Sequence, residues 1–235
     1  MREEKLVKNL IEKERYDFED LVQIMQILRS EEGCPWDREQ SHGSIRSCMI
    51  EEAYEVVEAI DTENSELLCE ELGDLLFQVI FHAQIEAERG SFTVDDVVHG
   101  ISQKMIHRHP HVFGDLSLSG AEDVIDSWEK IKIEEKQRKT LSSRLRAVPP
   151  MLPALMRAQK IAKKADLHRE KTAEALRAEL LQSAERLALD TSAETLGDLL
   201  LSAVTLAASQ GIDSEKSLSD ATDAVILLVE ESETE

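Results

Sequence analysis

The sequence has few cysteines and no long apolar run, the features that are typical of disulfide-rich, structural-zinc and membrane proteins. Its 235 residues include three cysteines, Cys34, Cys48 and Cys69, and no two of them form a CxxC pair. This excludes a disulfide framework and a structural zinc site and is typical of a reducing cytoplasm. No apolar run approaches the roughly 18 residues needed to cross a bilayer, and the N-terminal segment is charged throughout. We therefore expect a soluble, cytoplasmic chain that is not processed.

Positive charge is scarce as well. The chain has 27 Lys and Arg against 48 Asp and Glu, which gives a formal net charge of -21. A charge of this sign repels the phosphates of nucleic acids and the surfaces of anionic membranes. We therefore expect neither a nucleic acid nor a membrane among the partners.

The apolar residues recur mostly at helical spacing. Glycine and proline lie largely between the periodic segments, and no convincing alternating strand appears, so the predicted fold class is all-α, a helical bundle. The length suffices for one large domain or two small ones. The predicted helices span 16–31, 44–61, 65–89, 94–108, 121–139, 154–165, 171–187, 193–210 and 214–229.

The chain also contains a proline-rich break and a repeated phrase. The prolines of AVPPMLP (147–153) interrupt the helical pattern and predict two domains, 1–146 and 147–235. The phrase ELGDLL (71–76) returns as TLGDLL (195–200), followed each time by an apolar helix, which indicates a duplicated unit. The second copy lacks an acidic cluster upstream, so the two halves are not predicted to be equivalent.

Carboxylates are concentrated beside apolar side chains in CMIEEAYEVVEAI (48–60) and CEELGDLLFQVIF (69–81). The second segment has apolar residues on two sides of its helix, so some of its acids lie beside buried surface. A hairpin of these two helices would bring together Glu52, Glu55, Glu71 and Asp74. Such a set suits a hard cation such as Mg²⁺ or Mn²⁺. The alternative is an ordinary solvated face, which is where Glu and Asp usually lie.

A di-iron centre of the ferritin type does not fit this pattern. It would need two Glu-x-x-His repeats, and only Glu39 and His42 have that spacing, in a predicted loop. The histidines of HRHPH (107–111) look like a metal cluster, but the intervening proline prevents a helical ligand face and favours a structural loop.

Four other residues are candidates for binding a substrate. Lys104 and Arg108 lie one helical turn apart and could hold one polyphosphate, although positive charge also favours the end of any helix. Trp36 and Trp128 stand out in a chain with 4% aromatic residues. Each could stack on a nucleotide base or serve as a hydrophobic anchor.

Several motifs in order resemble the MazG family of nucleoside triphosphate pyrophosphohydrolases. They are GCPWDREQSHGSIRSCMIEEAYEVVEAI, EELGDLLFQVIFHAQ and RHPHVFGD, and the resemblance covers residues 18–136. The EExxE and ExxD pattern of the family is met by Glu51, Glu52, Glu55, Glu71 and Asp74. The remaining chain resembles a second, degenerate MazG repeat, in which Thr195 replaces the first carboxylate of ExxD and Asp198 remains.

The resemblance implies an all-α, homodimeric hydrolase that cleaves a nucleoside triphosphate (NTP or dNTP) into the monophosphate and pyrophosphate, for housekeeping of the nucleotide pool. The implied ligands of Mg²⁺ or Mn²⁺ are Glu52, Glu55, Glu71 and Asp74. Glu51 would orient or deprotonate a water, and Lys104 and Arg108 would hold the polyphosphate. The alternative from another class is a non-catalytic acidic dimer that binds a protein partner or senses nucleotides. Product formation separates these functions.

Overall fold

The computed structural model describes residues 2–135 and 140–234, and every regular element in these two ranges is a helix. This confirms the predicted all-α class. The helices are α1 (Arg2–Ile11), α2 (Phe18–Leu28), α3 (Pro35–Glu39), α4 (Arg46–Asp61), α5 (Ser65–Glu88), α6 (Val94–Arg108), α7 (Pro110–Phe113), α8 (Ala121–Glu135), α9 (Leu141–Arg146), α10 (Ala154–Ala165), α11 (Ala173–Leu189), α12 (Ala193–Ser209) and α13 (Ser214–Glu233).

The predicted bounds are exact for α6 and α10 and lie within four residues for the other predicted helices. Helix α6 has the predicted bounds, and the Thr93 side chain accepts a hydrogen bond from the backbone N–H of Asp96. The prediction missed α1, α3, α7 and α9. Helices α3 and α7 have five and four residues and begin at a proline, which is too short for a helical period to appear in the sequence. The predicted extension over 136–139 lies outside the described residues.

Helix α5 organises the first compact unit, Met1–Ser119. Asn64 caps this 24-residue helix by accepting hydrogen bonds from the backbone N–H groups of Glu66 and Leu67. Helices α2, α4 and α6 each pack against α5. The buried core cluster consists of Met25, Ile45, Ile80, Phe81 and Ile85. Three of these residues belong to α5, so the core surrounds the C-terminal half of this helix.

The same helix carries a row of polar side chains beside its apolar ones. At about 100° per residue, positions three, four or seven apart fall on one side of a helix. The row, called the polar stripe of α5 below, consists of Glu71, Asp74, Gln78, His82, Glu86 and Arg89. Helix α4 forms a hairpin with α5. Helix α5 therefore contributes residues both to the core and to the acidic group predicted above.

The second compact unit is Gly120–Glu235. Within it, α12 packs against α10, α11 and α13. By compactness the chain divides at 119/120, and α9 packs against α10 within the second unit. The assignment of separate roles to 1–146 and 147–235 stays a prediction.

No single helix in the described ranges is long and apolar enough to cross a membrane. Helices α12 and α13 meet the requirement of length and composition only as a pair, bent by 110°. The turn between them contains Gly211, whose φ of +71° suits glycine.

Candidate active site

The α4–α5 hairpin brings three glutamates together. Glu52 and Glu55 lie one turn apart on α4, Glu71 lies on α5, and each offers a carboxylate oxygen within 4.8 Å of the other two. Asp74 follows one turn after Glu71 and is close enough for its charge to act on Glu52. Glu51 is exposed on α4, next to Glu52 in the chain. The hairpin therefore gathers carboxylates from positions about 20 residues apart in the sequence.

The surroundings of the clustered carboxylates disfavour their ionised form. Burial, followed by a hydrogen bond with Glu55 and then the negative charges of neighbouring carboxylates, raises the pKa of Glu52 above its ordinary value. Burial and the nearby acids raise the pKa of Glu71 in the same way. In the described part of the chain, no Lys or Arg forms an ion pair with Glu52, Glu55, Glu71 or Asp74. The ionised carboxylates therefore repel one another, and no Lys or Arg among the described residues neutralises them.

A divalent cation fits this set of side chains. Carboxylate oxygens are the ligands that hard divalent cations prefer. A cation held between them would replace the repulsion of the ionised groups by attraction. The chemistry of the cluster therefore indicates a divalent metal.

Comparison with known proteins places the same hairpin in a family. The model of the MazG nucleotide pyrophosphohydrolase domain matches residues 40–113, which include all five predicted acids. The chain is also 44% identical over 211 residues to the nucleoside triphosphate pyrophosphohydrolase/pyrophosphatase MazG of Thermotoga maritima, a match that covers 87% of this chain and 81% of that protein. The chain belongs to the MazG family.

Two further MazG-type relatives match a smaller share of their own lengths. The nucleoside triphosphate pyrophosphohydrolase of Escherichia coli K12 is 50% identical over 145 residues, which is 61% of this chain and 55% of the relative. The protein of the same name from Mycobacterium tuberculosis is 40% identical over 148 residues, or 62% of this chain and 44% of the relative.

Gln78 is a polar residue of this MazG-family hairpin that sequence reasoning did not select. It lies one turn beyond Asp74 on the polar stripe and is 8% exposed. Its Oε1 atom is buried and accepts no hydrogen bond from any residue that the structure describes. An unpaired buried acceptor costs about 1–3 kcal/mol, which a bound ligand with a donor would offset. The signal in the sequence is the spacing of Glu71, Asp74 and Gln78 on one helical face.

The predicted substrate-binding residues have different environments. Lys104 is exposed on α6, whereas Arg108, one turn later, is buried. Trp36 is on α3 and is 63% exposed, so it is not a buried anchor within the chain. Trp128 lies on α8 in the second compact unit, with Lys132 Nζ 4.2 Å from its ring centroid. The proposed roles of these residues in binding stay predictions.

In the second hairpin, α11–α12, residues of the corresponding phrase TLGDLL form a helix cap and an ion pair. Thr195 belongs to the capping box at the start of α12, where it exchanges hydrogen bonds with Ser192. Its hydroxyl also donates to the Asp190 carbonyl at 2.6 Å. Asp198 lies 3.2 Å from the guanidinium of Arg186 on α11. Where the first hairpin has a group of acids, the second has a helix cap and an internal ion pair.

The raised pKa of Glu52 predicts how the metal-free protein responds to pH. The folded state binds the Glu52 proton more strongly than the unfolded state, so this group stabilises at low pH and the stability is lost as pH rises through its folded pKa. With chelator present, Glu52→Gln should therefore unfold at a higher temperature than the wild type near neutral pH. The difference should shrink as the pH falls towards about 4.5, the unfolded value for Glu.

Thermal unfolding of both proteins over a pH series measures this difference and cancels the titration of all groups that they share. Glu58→Gln is the matched control, because Glu58 is exposed on the same helix and lies outside the cluster. A Glu52→Gln advantage that grows on acidification would contradict the assignment.

Proposed function

We propose that this MazG-family protein hydrolyses nucleoside triphosphates, both NTPs and dNTPs, between the α and β phosphates to give the monophosphate and pyrophosphate. The observation that carries the proposal is the convergence of Glu52, Glu55 and Glu71 within 4.8 Å, inside the segment that matches the MazG domain. The names of the Thermotoga and Escherichia relatives support the same reaction. The corresponding physiological role is housekeeping of the nucleotide pool.

Each carboxylate has a role in the proposed reaction. The residues that would hold Mg²⁺, or Mn²⁺ in its place, are Glu52, Glu55, Glu71 and Asp74. When bound, the cation supplies positive charge that stabilises the negative charge developing on the phosphoryl oxygens. Glu51, exposed beside the cluster, orients a water and accepts its proton as it attacks.

The remaining candidates bind the rest of the substrate. Lys104 is exposed and offers a point charge to the polyphosphate, and the positive charge of the buried Arg108, one turn later on α6, would act on the same phosphates. The exposed ring of Trp36 provides a flat apolar surface for a base, and Trp128 is the second candidate for that contact.

We also propose that the protein is a homodimer. Val57 on α4, Leu72 on α5 and Ile101 on α6 are 49%, 50% and 50% exposed in the single chain. Apolar groups at these positions favour burial against a second subunit. Light scattering is expected to give twice the chain mass of 26.5 kDa. A mass equal to one chain at working concentration would contradict the dimer.

The proposed setting is the cytoplasm, with neither nucleic acid nor membrane as a partner. The net charge of -21 supports the exclusion of anionic polymers and surfaces. Cys34, Cys48 and Cys69 are free thiols, which is the form favoured in a reducing compartment.

A product assay tests the reaction. The protein is incubated with a panel of NTPs and dNTPs and Mg²⁺, and monophosphate, diphosphate, pyrophosphate and orthophosphate are resolved. We expect equal amounts of monophosphate and pyrophosphate, and loss of both when a chelator is added. An Asp74→Asn preparation, purified in the same way, controls for contaminating phosphatases. Orthophosphate as the primary product would overturn the proposal, and binding without product would favour a nucleotide sensor.

A further inference from the structure

Two histidines join the segment before α4 to α5. His42 Nδ1 lies 2.7 Å from His82 Nδ1, and the planes of the two rings differ by 14° with their centroids 5.0 Å apart. The other nitrogen of His42, Nε2, lies 2.7 Å from Glu86 Oε1. Glu86 also accepts a hydrogen bond of 2.8 Å from Arg89. We call His42, His82 and Glu86 the histidine cluster.

The histidine cluster lies at the start of the helix that carries half of the acidic site. His42 precedes α4, which begins at Arg46. Between them, Ile45 is buried in the core cluster. The contacts of His42 and Ile45 with α5 therefore fix how α4 begins relative to α5. Since a helix is stiff, a shift at its start also shifts Glu52 and Glu55.

The same cluster is continuous with the site along α5. His82 and Glu86 lie on the polar stripe, two and three turns beyond Asp74. Glu71 belongs to the same stripe and faces the acids of α4. The spacing between the acids of α4 and α5 thus depends on contacts made at the other end of the hairpin.

A second anchor holds the same segment without a histidine. Arg29 at the end of α2 donates to both carboxylate oxygens of Glu88, each at 2.8 Å. Its guanidinium also donates to the backbone carbonyls of Asp37 and Gln40. Arginine remains charged at every working pH. This anchor holds the segment through Gln40, and the histidine cluster holds the residues that lead directly into α4.

The short contact between the two imidazoles limits how many protons the histidine cluster can hold. A hydrogen bond between two Nδ1 atoms needs a proton on one of them and a lone pair on the other. When His42 Nε2 donates to Glu86, His42 is either neutral and accepts from His82 or protonated and donates to it. Both arrangements keep all contacts. With both rings protonated, two N–H groups would face each other, and the contact would open.

We propose that His42 is a positioning residue for the acidic site, and that uptake of a second proton by the His42–His82 pair releases the start of α4 and weakens metal binding by Glu52 and Glu55. The kinetic part of this inference rests on the proposed hydrolysis, whereas its metal-binding and proton-binding parts do not.

The surrounding groups make it unfavourable for the His42–His82 pair to bind a second proton. Burial and then the nearby His42 lower the pKa of His82. The hydrogen bond from His42, followed by those from Ser91 and Arg89, lowers the pKa of Glu86, so this carboxylate stays ionised and keeps accepting from His42. These groups act on the cluster from its own segment, from α5 and from the turn after α5.

The direction of the pH effect follows from the lowered pKa of His82. The released state binds the second proton more strongly than the intact cluster. The cluster is therefore stable near neutral pH and opens as the pH falls below about 6.5, the ordinary value for histidine. The carboxylates of the metal site also lose metal in acid, so the test must separate the two contributions.

The separating variant is His42→Gln. The glutamine amide can donate to Glu86 and accept from His82 but does not titrate. Mn²⁺ binding and, separately, the rate of pyrophosphate release are measured from about pH 8 to about pH 5.5, each normalised to its own value at about pH 8. At the lowest pH, we expect His42→Gln to retain at least about threefold more Mn²⁺ binding and activity than the wild type, because the glutamine amide still accepts from His82 when His82 is protonated. His42→Ala should weaken Mn²⁺ binding at every pH because it removes both contacts.

His99→Gln is the matched control. His99 is exposed on α6 and lies outside the cluster. His99→Gln should therefore lose Mn²⁺ binding and pyrophosphate release in acid to the same extent as the wild type. The proposal would be overturned if Mn²⁺ binding decreased in acid to the same extent in the wild type and in His42→Gln. It would also be overturned if His99→Gln retained as much Mn²⁺ binding in acid as His42→Gln. If no protein released pyrophosphate, the proposed function would fail, and Mn²⁺ binding would still decide this inference.

A measurement on the wild type keeps the inference testable if the variants do not fold. Histidine C–H resonances are followed by NMR as the pH is lowered. We expect the His82 resonances to titrate below about 6.5, the ordinary value for histidine. A His82 titration at or above that value would show that the contact with His42 does not resist a second proton, and the proposal would be wrong.

Discussion

Replacing Glu52 by Gln should reduce nucleoside triphosphate hydrolysis by at least about 10²-fold, the scale of losing one group that stabilises charge in the transition state. The amide has nearly the shape of the carboxylate, so the packing of α4 against α5 is retained. It carries no charge, however, and Glu52 is one of three side chains whose oxygens lie within 4.8 Å of one another. The remaining acids would hold a divalent cation less tightly.

Turnover as a function of Mg²⁺ concentration measures this effect, and circular dichroism confirms that the helices are intact. Glu58→Gln removes one charge from the same helix outside the cluster and should behave as the wild type. If Glu52→Gln reached near-normal turnover at saturating Mg²⁺, the assigned metal site would be wrong.

Asp74→Ala should abolish hydrolysis, whereas Asp198→Ala should leave it almost unchanged. Both aspartates stand in the phrase LGDLL, yet their surroundings differ. Asp74 adds its negative charge to the group of Glu52 and Glu71. Asp198 instead pairs with Arg186, and both side chains are about half exposed. An exposed pair of this kind contributes about 0–1 kcal/mol to stability, so its loss should not unfold the second unit.

The measurement is turnover per folded subunit for the two variants, with the folded fraction determined by thermal unfolding. Arg186→Ala is a useful companion to Asp198→Ala, because it removes the other half of the same ion pair and should also be nearly silent. A loss in Asp198→Ala as large as that in Asp74→Ala would mean that the second hairpin is a working site.

The sequence was sufficient for the long helices because local signals define them. The bounds of α6 and the start of α5 coincide with Thr93 and Asn64, whose side chains cap the first turns. The pairing of the two acidic helices also followed from their apolar periodicity and the short connection between them. Helices α3 and α7 were missed because a proline, rather than a repeated apolar face, starts each of them.

Other features depend on contacts between distant residues. His42 and His82 are 40 residues apart and show no joint pattern in the sequence, yet their nitrogens lie 2.7 Å from each other. The spacing of Lys104 and Arg108 indicated two similar cations, but packing buries Arg108 and leaves Lys104 exposed. The empty acceptor on Gln78 is likewise a result of packing around α5. Such properties arise from tertiary structure, which periodicity alone does not describe.

The cap formed by Thr195 gives residue 195 a different structural role from that of Glu71. Glu71 is the seventh residue of α5, whereas Thr195 is the third residue of α12, so the shared phrase begins at a different distance from the helix start. A glutamate introduced at Thr195 would lose the hydroxyl bond to the Asp190 carbonyl but could still accept a hydrogen bond from the Ser192 backbone N–H, as in a capping box. Asp198 would still pair with Arg186. A carboxylate at position 195 alone would therefore strengthen a helix start and would not create a cation site in this hairpin.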